Sequence, residues 1–104
     1  MSVAVLIRLE AKQGREADLI ALLDGAKAYA ANEEPGCEAY EIARSREDPA
    51  SFVIFQRYSS DDELERHRHT PHAQQLGPRL QEVLAGPGEV QFLKAVAHLE
   101  RKKR

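Results

Sequence analysis

Residues 37–58 read CEAYEIARSREDPASFVIFQRY, and the way this stretch folds constrains everything on either side of it. CEAYEIAR and SFVIFQRY, rich in branched and aromatic residues, flank a polar segment carrying Asp48-Pro49. Strand-forming runs on both sides of turn residues predict an antiparallel hairpin. Side chains alternate along a strand, so Phe52, Ile54, Gln56 and Tyr58 share one face, while Val53, Phe55 and Arg57 share the other.

Toward the N-terminus, residues 33–36 (EEPG) supply Pro35 and Gly36 for the two central positions of a type II turn. Before it, Leu19, Ile20, Leu23 and Ala26 or Ala30, with Leu22 and Tyr29 beside them, recur at helical spacing to about Asn32. SVAVLIRLE, residues 2–10, alternates as a strand does and is apolar on both faces in its first half.

Toward the C-terminus, Ser60 through Glu63 (SDDE) form a capping box, which starts a helix at Asp61. It should stop near His69, because the residue before a proline is pushed out of helical geometry. Thr70 and Pro71 then cap and begin a second helix, with Leu76, Leu80, Val83 and Leu84 as its buried stripe. AGPG at 85–88 ends it, and EVQFLKAVAHL, residues 89–99, reads as the last strand.

The order strand, helix, strand, strand, broken helix, strand predicts an α+β fold: a ferredoxin-like βαββαβ unit with a four-stranded antiparallel sheet. Helices cover one face of such a sheet. The first and third strands are apolar on both faces, so a second copy is expected to cover the other, giving a homodimer packed sheet to sheet.

At 104 residues the chain suits a single domain, 1–104, closed by a basic tail at 99–104. With 42% hydrophobic and 31% charged residues and a formal net charge of -2, it reads as a soluble globular protein with neither nucleic acid nor membrane as partner. No apolar run approaches the ~18 residues of a membrane span, and no signal peptide is evident. The lone cysteine, Cys37, suits the reducing cytoplasm and a packing role.

Three histidines cluster in ERHRHTPHAQQL, residues 65–76. His67 and His69 lie about 200° apart around a helix, and Pro71 redirects the chain before His72, so no metal site is expected. His69 should face solvent. His67 shares the face of Leu64 and points inward; His72, second in the new helix, lies among free backbone N–H groups that favour a neutral ring. A neutral histidine facing a semi-enclosed pocket is a proton acceptor near pH 7, so His67 and His72 are candidate bases beside the plainer reading of polar residues at a helix junction.

EPGCEAYEI at 34–42, DPASFVIFQRYSSDDELERH at 48–67 and TPH at 70–72 together resemble the antibiotic biosynthesis monooxygenase family, in particular its small quinol-monooxygenase-like members. The resemblance implies a dimeric ferredoxin-like barrel with a pocket between each sheet and its helices. It also implies oxygenation of quinols or polycyclic aromatic phenols without metal, flavin or haem. His67, Thr70 and His72 match the common pattern. Gln56 and Tyr58 stand where the family commonly has Glu and Trp, and Ala73 where it has Phe. Haem-degrading relatives use an asparagine in the first strand, and there is none around Ile7 and Arg8.

With a small aromatic substrate and oxygen as partners, the expected division of labour is His67 or His72 as base and Gln56 and Tyr58 as hydrogen-bonding groups. Phe52, Ile54 and Phe92 are expected to form an apolar wall, with Tyr40 in the wall or the core. The competing expectation is a non-oxygenase dimer of the same fold, an isomerase of a small polar metabolite or a ligand-binding stress protein. A filled pocket, or one lined by arginines such as Arg8, Arg57 or Arg79, would mark it.

Overall fold

A computed structural model describes residues 1–99 and 101. The elements are β1 (Val3–Glu10), α1 (Glu16–Glu33), β2 (Cys37–Arg44), β3 (Ser51–Tyr58), α2 (Asp61–Arg68), α3 (Pro71–Val83) and β4 (Glu89–Lys94). The sheet runs in the order β2-β3-β1-β4 with every neighbouring pair antiparallel. This is the ferredoxin-like α+β arrangement expected from the central hairpin.

Register decides which side chains meet. Ile7 pairs with Ile54 and Leu9 with Phe52, and on the other side of β3 Ile42 pairs with Ile54. These side chains share the helix-covered face, where Leu9, Leu19, Leu23, Phe52, Ile54 and Val83 form the core. Burying each such side chain stabilises the fold by roughly 1.5–3 kcal/mol. α1 turns Leu19, Leu23, Ala26 and Ala30 inward. Ile20, expected in that stripe, is 39% exposed, because one residue along a helix rotates it about 100° away from the sheet.

The bond from Cys37 N–H to Glu34 C=O, 2.9 Å, closes the turn around Pro35 and Gly36. It is not the type II turn expected, since Gly36 lacks the left-handed φ that type requires. Gly36 is needed for closeness instead: a Cβ there would overlap the Glu63 side chain of α2. Ser60 Oγ accepts from the Glu63 N–H at 3.2 Å, as a cap should. Glu63 does not complete the reciprocal bond of a capping box; its carboxylate lies against Gly36 and 3.4 Å from Arg66.

Thr70 Oγ accepts from the Ala73 N–H at 3.1 Å and donates to the His67 carbonyl at 3.0 Å. One hydroxyl thereby ties the end of α2 to the start of α3.

β4 ends at Lys94, five residues short of the expected strand. Its partner β1 begins at Val3, which pairs with Lys94, and the pairing closes with a bond from Ala95 N–H to Ser2 C=O. Val96 and Leu99 are consequently exposed. Of the expected basic tail, Glu100 and residues 102–104 lie outside the described residues. On the sheet face opposite the helix-side core, Leu6 pairs with Phe55 beside Val53. Among the described residues, no helix is long and apolar enough to cross a membrane.

Candidate active site

Between the helix-side face of the sheet and α1 and α3 lies a cavity of about 710 Å³. Ile7, Ile54 and Val90 form its floor and Leu23, Leu76 and Leu80 its helical walls. The two ends differ. At the Leu9 end, Gly88 packs closely on the sheet and the Gly86–Gly88 loop forms the rim. At the other, Tyr40 and Gln56, cross-strand partners, gather with Glu34 and His67. A flat apolar body with one polar edge is the shape of ligand this arrangement suits.

Glu34 is the C-cap residue of α1, and His67 stands on the last turn of α2. The Glu34 Oε1–His67 Nδ1 distance is 2.7 Å, with the Glu34 side chain only 8% exposed. A carboxylate only accepts hydrogen bonds, so Nδ1 is the ring nitrogen that donates, toward Glu34.

Tyr58 lies behind His67, ring centroids 5.1 Å apart, with no exposed surface. Its hydroxyl donates to Gln56 Oε1 at 3.3 Å, so Gln56 presents its amide N–H groups as donors, with the Tyr40 hydroxyl beside them across the strand pair. Burial, reinforced by the fields of Cys37 and Glu34, pushes the Tyr40 hydroxyl up to about 12. Burial first, with the same two fields, also raises Tyr58. The Cys37 thiol is raised by burial, with Glu34 adding to the effect. All three groups hold their protons near neutral pH, so none can serve as a base.

His72 stacks on Tyr29, centroids 4.7 Å apart and planes 14° from parallel, and its buried Nε2 has no hydrogen-bond partner. His69 lies on the surface with Nε2 2.8 Å from Glu65, as its position predicted. The three histidines thus have three different partners, and among the described residues no His, Cys, Asp or Glu group gathers that could hold a metal ion.

The family model for antibiotic biosynthesis monooxygenases matches residues 2–78, from β1 into α3, and so takes in Glu34, Gln56, His67 and His72. The chain belongs to the antibiotic biosynthesis monooxygenase family. It is 34% identical over 91 residues to a Mycobacterium tuberculosis protein named "Putative monooxygenase Rv0793", covering 88% of each chain. The solved structure of Rv0793 superimposes with a TM-score of 0.86 at 29% identity, over 96% of this chain and 100% of that one. A Caulobacter crescentus structure assigned to the same family gives a TM-score of 0.87 over 92% and 91% of the two chains; at 24% identity it shows the shared fold.

In this antibiotic biosynthesis monooxygenase family member, His67, His72, Gln56, Ile54 and Tyr40 all line the cavity. Tyr58, Phe52 and Phe92 do not. Tyr58 backs His67 from inside the protein. Phe52 shares a strand face with Ile54 but is sealed into the core with Leu9, Leu19 and Val83. Phe92, on the edge strand, is 60% exposed and lines a shallow groove with Leu64 and Arg68 of α2.

Glu34 was not singled out by the sequence reading. The segment EPG drew notice for its proline and glycine as a helix stop, and a carboxylate beside a turn is ordinarily solvated. What distinguishes it is burial, which becomes visible only once α2 has packed over the turn.

Proposed function

We propose that this family member is a cofactor-independent monooxygenase that oxidises a quinol or polycyclic aromatic phenol with molecular oxygen. The observation carrying this reading is an apolar cavity whose polar end holds His67, Gln56 and Tyr40 and whose described walls contain no lysine or arginine. The alternative, an isomerase or a ligand-binding protein, is favoured by a filled pocket or by one lined with arginines. Arg8 lies exposed on the opposite sheet face, Arg57 is engaged with Glu38 at 3.1 Å, and Arg79 stands off the cavity wall.

In this scheme His67 Nε2 takes a proton from the substrate hydroxyl, and the Gln56 amide donates to the oxyanion. A neutral phenol reacts slowly with triplet oxygen; its anion passes one electron to oxygen, and the radical pair recombines as a hydroperoxide on a ring carbon. The proton held by His67 completes that hydroperoxide, and breaking its O–O bond together with the C–H bond of the same ring carbon releases water and leaves a carbonyl oxygen on the ring. The apolar walls exclude bulk water while the planar ring is held in place.

Oxygen uptake by metal-stripped protein, checked spectroscopically for flavin and haem, against a panel of hydroquinones and anthrones tests the proposal. Protein-dependent uptake resistant to chelator supports it; no uptake above autoxidation across the panel returns the weight to a binding or isomerase role.

The same reading makes the protein a cytoplasmic homodimer. Leu6, Val53 and Phe55 form an apolar strip on the open sheet face, and burial by a second copy removes that surface from water. Phe55→Arg should convert the dimer to a monomer in sedimentation velocity; a wild-type monomer at all concentrations would refute the assembly.

A further inference from the structure

We infer that Glu34 is the positioning residue of the site: it holds His67 in the tautomer with its proton on Nδ1, so that Nε2 can accept a proton from the substrate. This deepens the oxygenase reading and rests on it for its catalytic meaning.

The location of Glu34 is costly on stability grounds alone. It sits at the C-terminal end of α1, where the helix dipole disfavours a negative charge, and the last turn of α1 carries no basic residue. Its side chain is 8% exposed, and the one ionisable partner it finds among the described residues is His67. Burying a carboxylate with so little compensation is unfavourable unless the group does something else. The 2.7 Å contact to Nδ1 provides that role. Imidazole left to itself in water favours the proton on Nε2, which would make that nitrogen of a cavity-lining ring a donor instead of an acceptor. Glu34 reverses the preference.

The neighbouring groups make the assignment specific. Tyr40, Tyr58 and Cys37 are all raised, each in part by the field of Glu34, so the carboxylate keeps surrounding protons in place while His67 remains the acceptor. His72 lacks this arrangement: it stacks on Tyr29, and among the described residues no carboxylate pairs with it.

The test begins with nitrogen-15 spectra of histidine-labelled, intact protein, which report which ring nitrogen of His67 is protonated and need no substrate. The expected result is the Nδ1–H form in the wild type and a majority Nε2–H form in Glu34→Leu, with partial recovery of Nδ1–H in Glu34→Gln, which retains an oxygen acceptor. In turnover, Glu34→Leu should lower kcat roughly tenfold to a hundredfold with KM changed less than about threefold, within the range of a misplaced general base. The loss should shrink as the substrate hydroxyl becomes more acidic, a trend that a purely structural role would not produce. An Nε2–H wild-type ring, or a Glu34→Leu protein with unchanged tautomer and kcat, overturns the inference. Absence of wild-type oxygen uptake sinks the oxygenase reading instead, while the spectra still decide whether Glu34 sets the tautomer.

Discussion

The imidazole of His72 lies flat on the ring of Tyr29, and its inner nitrogen, Nε2, is buried without a hydrogen-bond partner. A stacked ring with an unsatisfied buried atom behaves as packing, and leaving such an atom unpaired costs about 1–3 kcal/mol. Replacing it with a ring that has no polar atom should therefore help. His72→Phe is expected to raise stability by about 1 kcal/mol, or roughly 4–6 °C in Tm for a domain of this size, and to lower kcat less than tenfold. His67→Phe should lower kcat by about 10²–10⁴. Equal losses from the two variants would place the base at both histidines or at neither.

The Thr70 hydroxyl joins α2 to α3 through two bonds, and both site histidines stand within three residues of it. Thr70→Ala removes the helix cap and should cost about 1–2 kcal/mol in urea unfolding. The same change should raise KM by loosening the wall that carries His67 and His72. Thr70→Ser retains the oxygen and should recover most of both losses.

Tyr40 sets an alkaline limit. Its folded-state value of about 12 exceeds the ordinary value near 10, so the native state holds the proton more tightly than the unfolded chain does. The resulting stabilisation is fully present below about pH 10 and is lost as pH rises from about 10 to about 12. A two-unit difference corresponds to roughly 2–3 kcal/mol. Stability followed by circular dichroism, together with tyrosinate absorbance, should fall through this window, and Tyr40→Phe should flatten the fall. Tyr58 and Cys37, raised in the same direction, account for the slope that remains.

Phe52 and Ile54 share a strand face and divide its duties: one is sealed in the core, the other forms the cavity floor. Phe52→Ala should cost about 3–5 kcal/mol in chemical denaturation. Ile54→Val, which trims the floor by one methylene, should cost only about 0.5–1.5 kcal/mol and should shift the preference toward bulkier ring systems. A Phe52→Ala protein as stable as wild type would mean that the core closes differently from the packing described.

Most of the architecture was legible in the sequence because the signals that specify it are local. Alternation in SVAVLIRLE and SFVIFQRY, the Ser60 and Thr70 caps and the break before Pro71 each act within a few residues. The misreadings occurred where a local pattern met a distant constraint. The residues through Leu99 favour a strand, but a strand extends only as far as its neighbour, and β1 starts at Val3. Pro35-Gly36 suits a type II turn by local pattern, whereas Gly36's neighbour in space, Glu63, explains it. Strand face and chemistry make Phe52, Tyr58 and Phe92 pocket candidates, but whether a helix seals a residue in, backs it or leaves it at an edge is a matter of packing.

The order of elements along the chain, the helix boundaries, the helix-covered face and the inward position of His67 follow from the amino-acid sequence by itself, since backbone sterics and hydrophobic periodicity act between near neighbours. Only the tertiary structure decided that Glu34 meets His67. Those residues stand 33 apart in the chain, and their contact depends on how the end of α1 docks beneath α2 once Gly36 has let the Glu63 side chain approach. A charge whose nearest partner is chosen by packing leaves no periodic mark in the sequence.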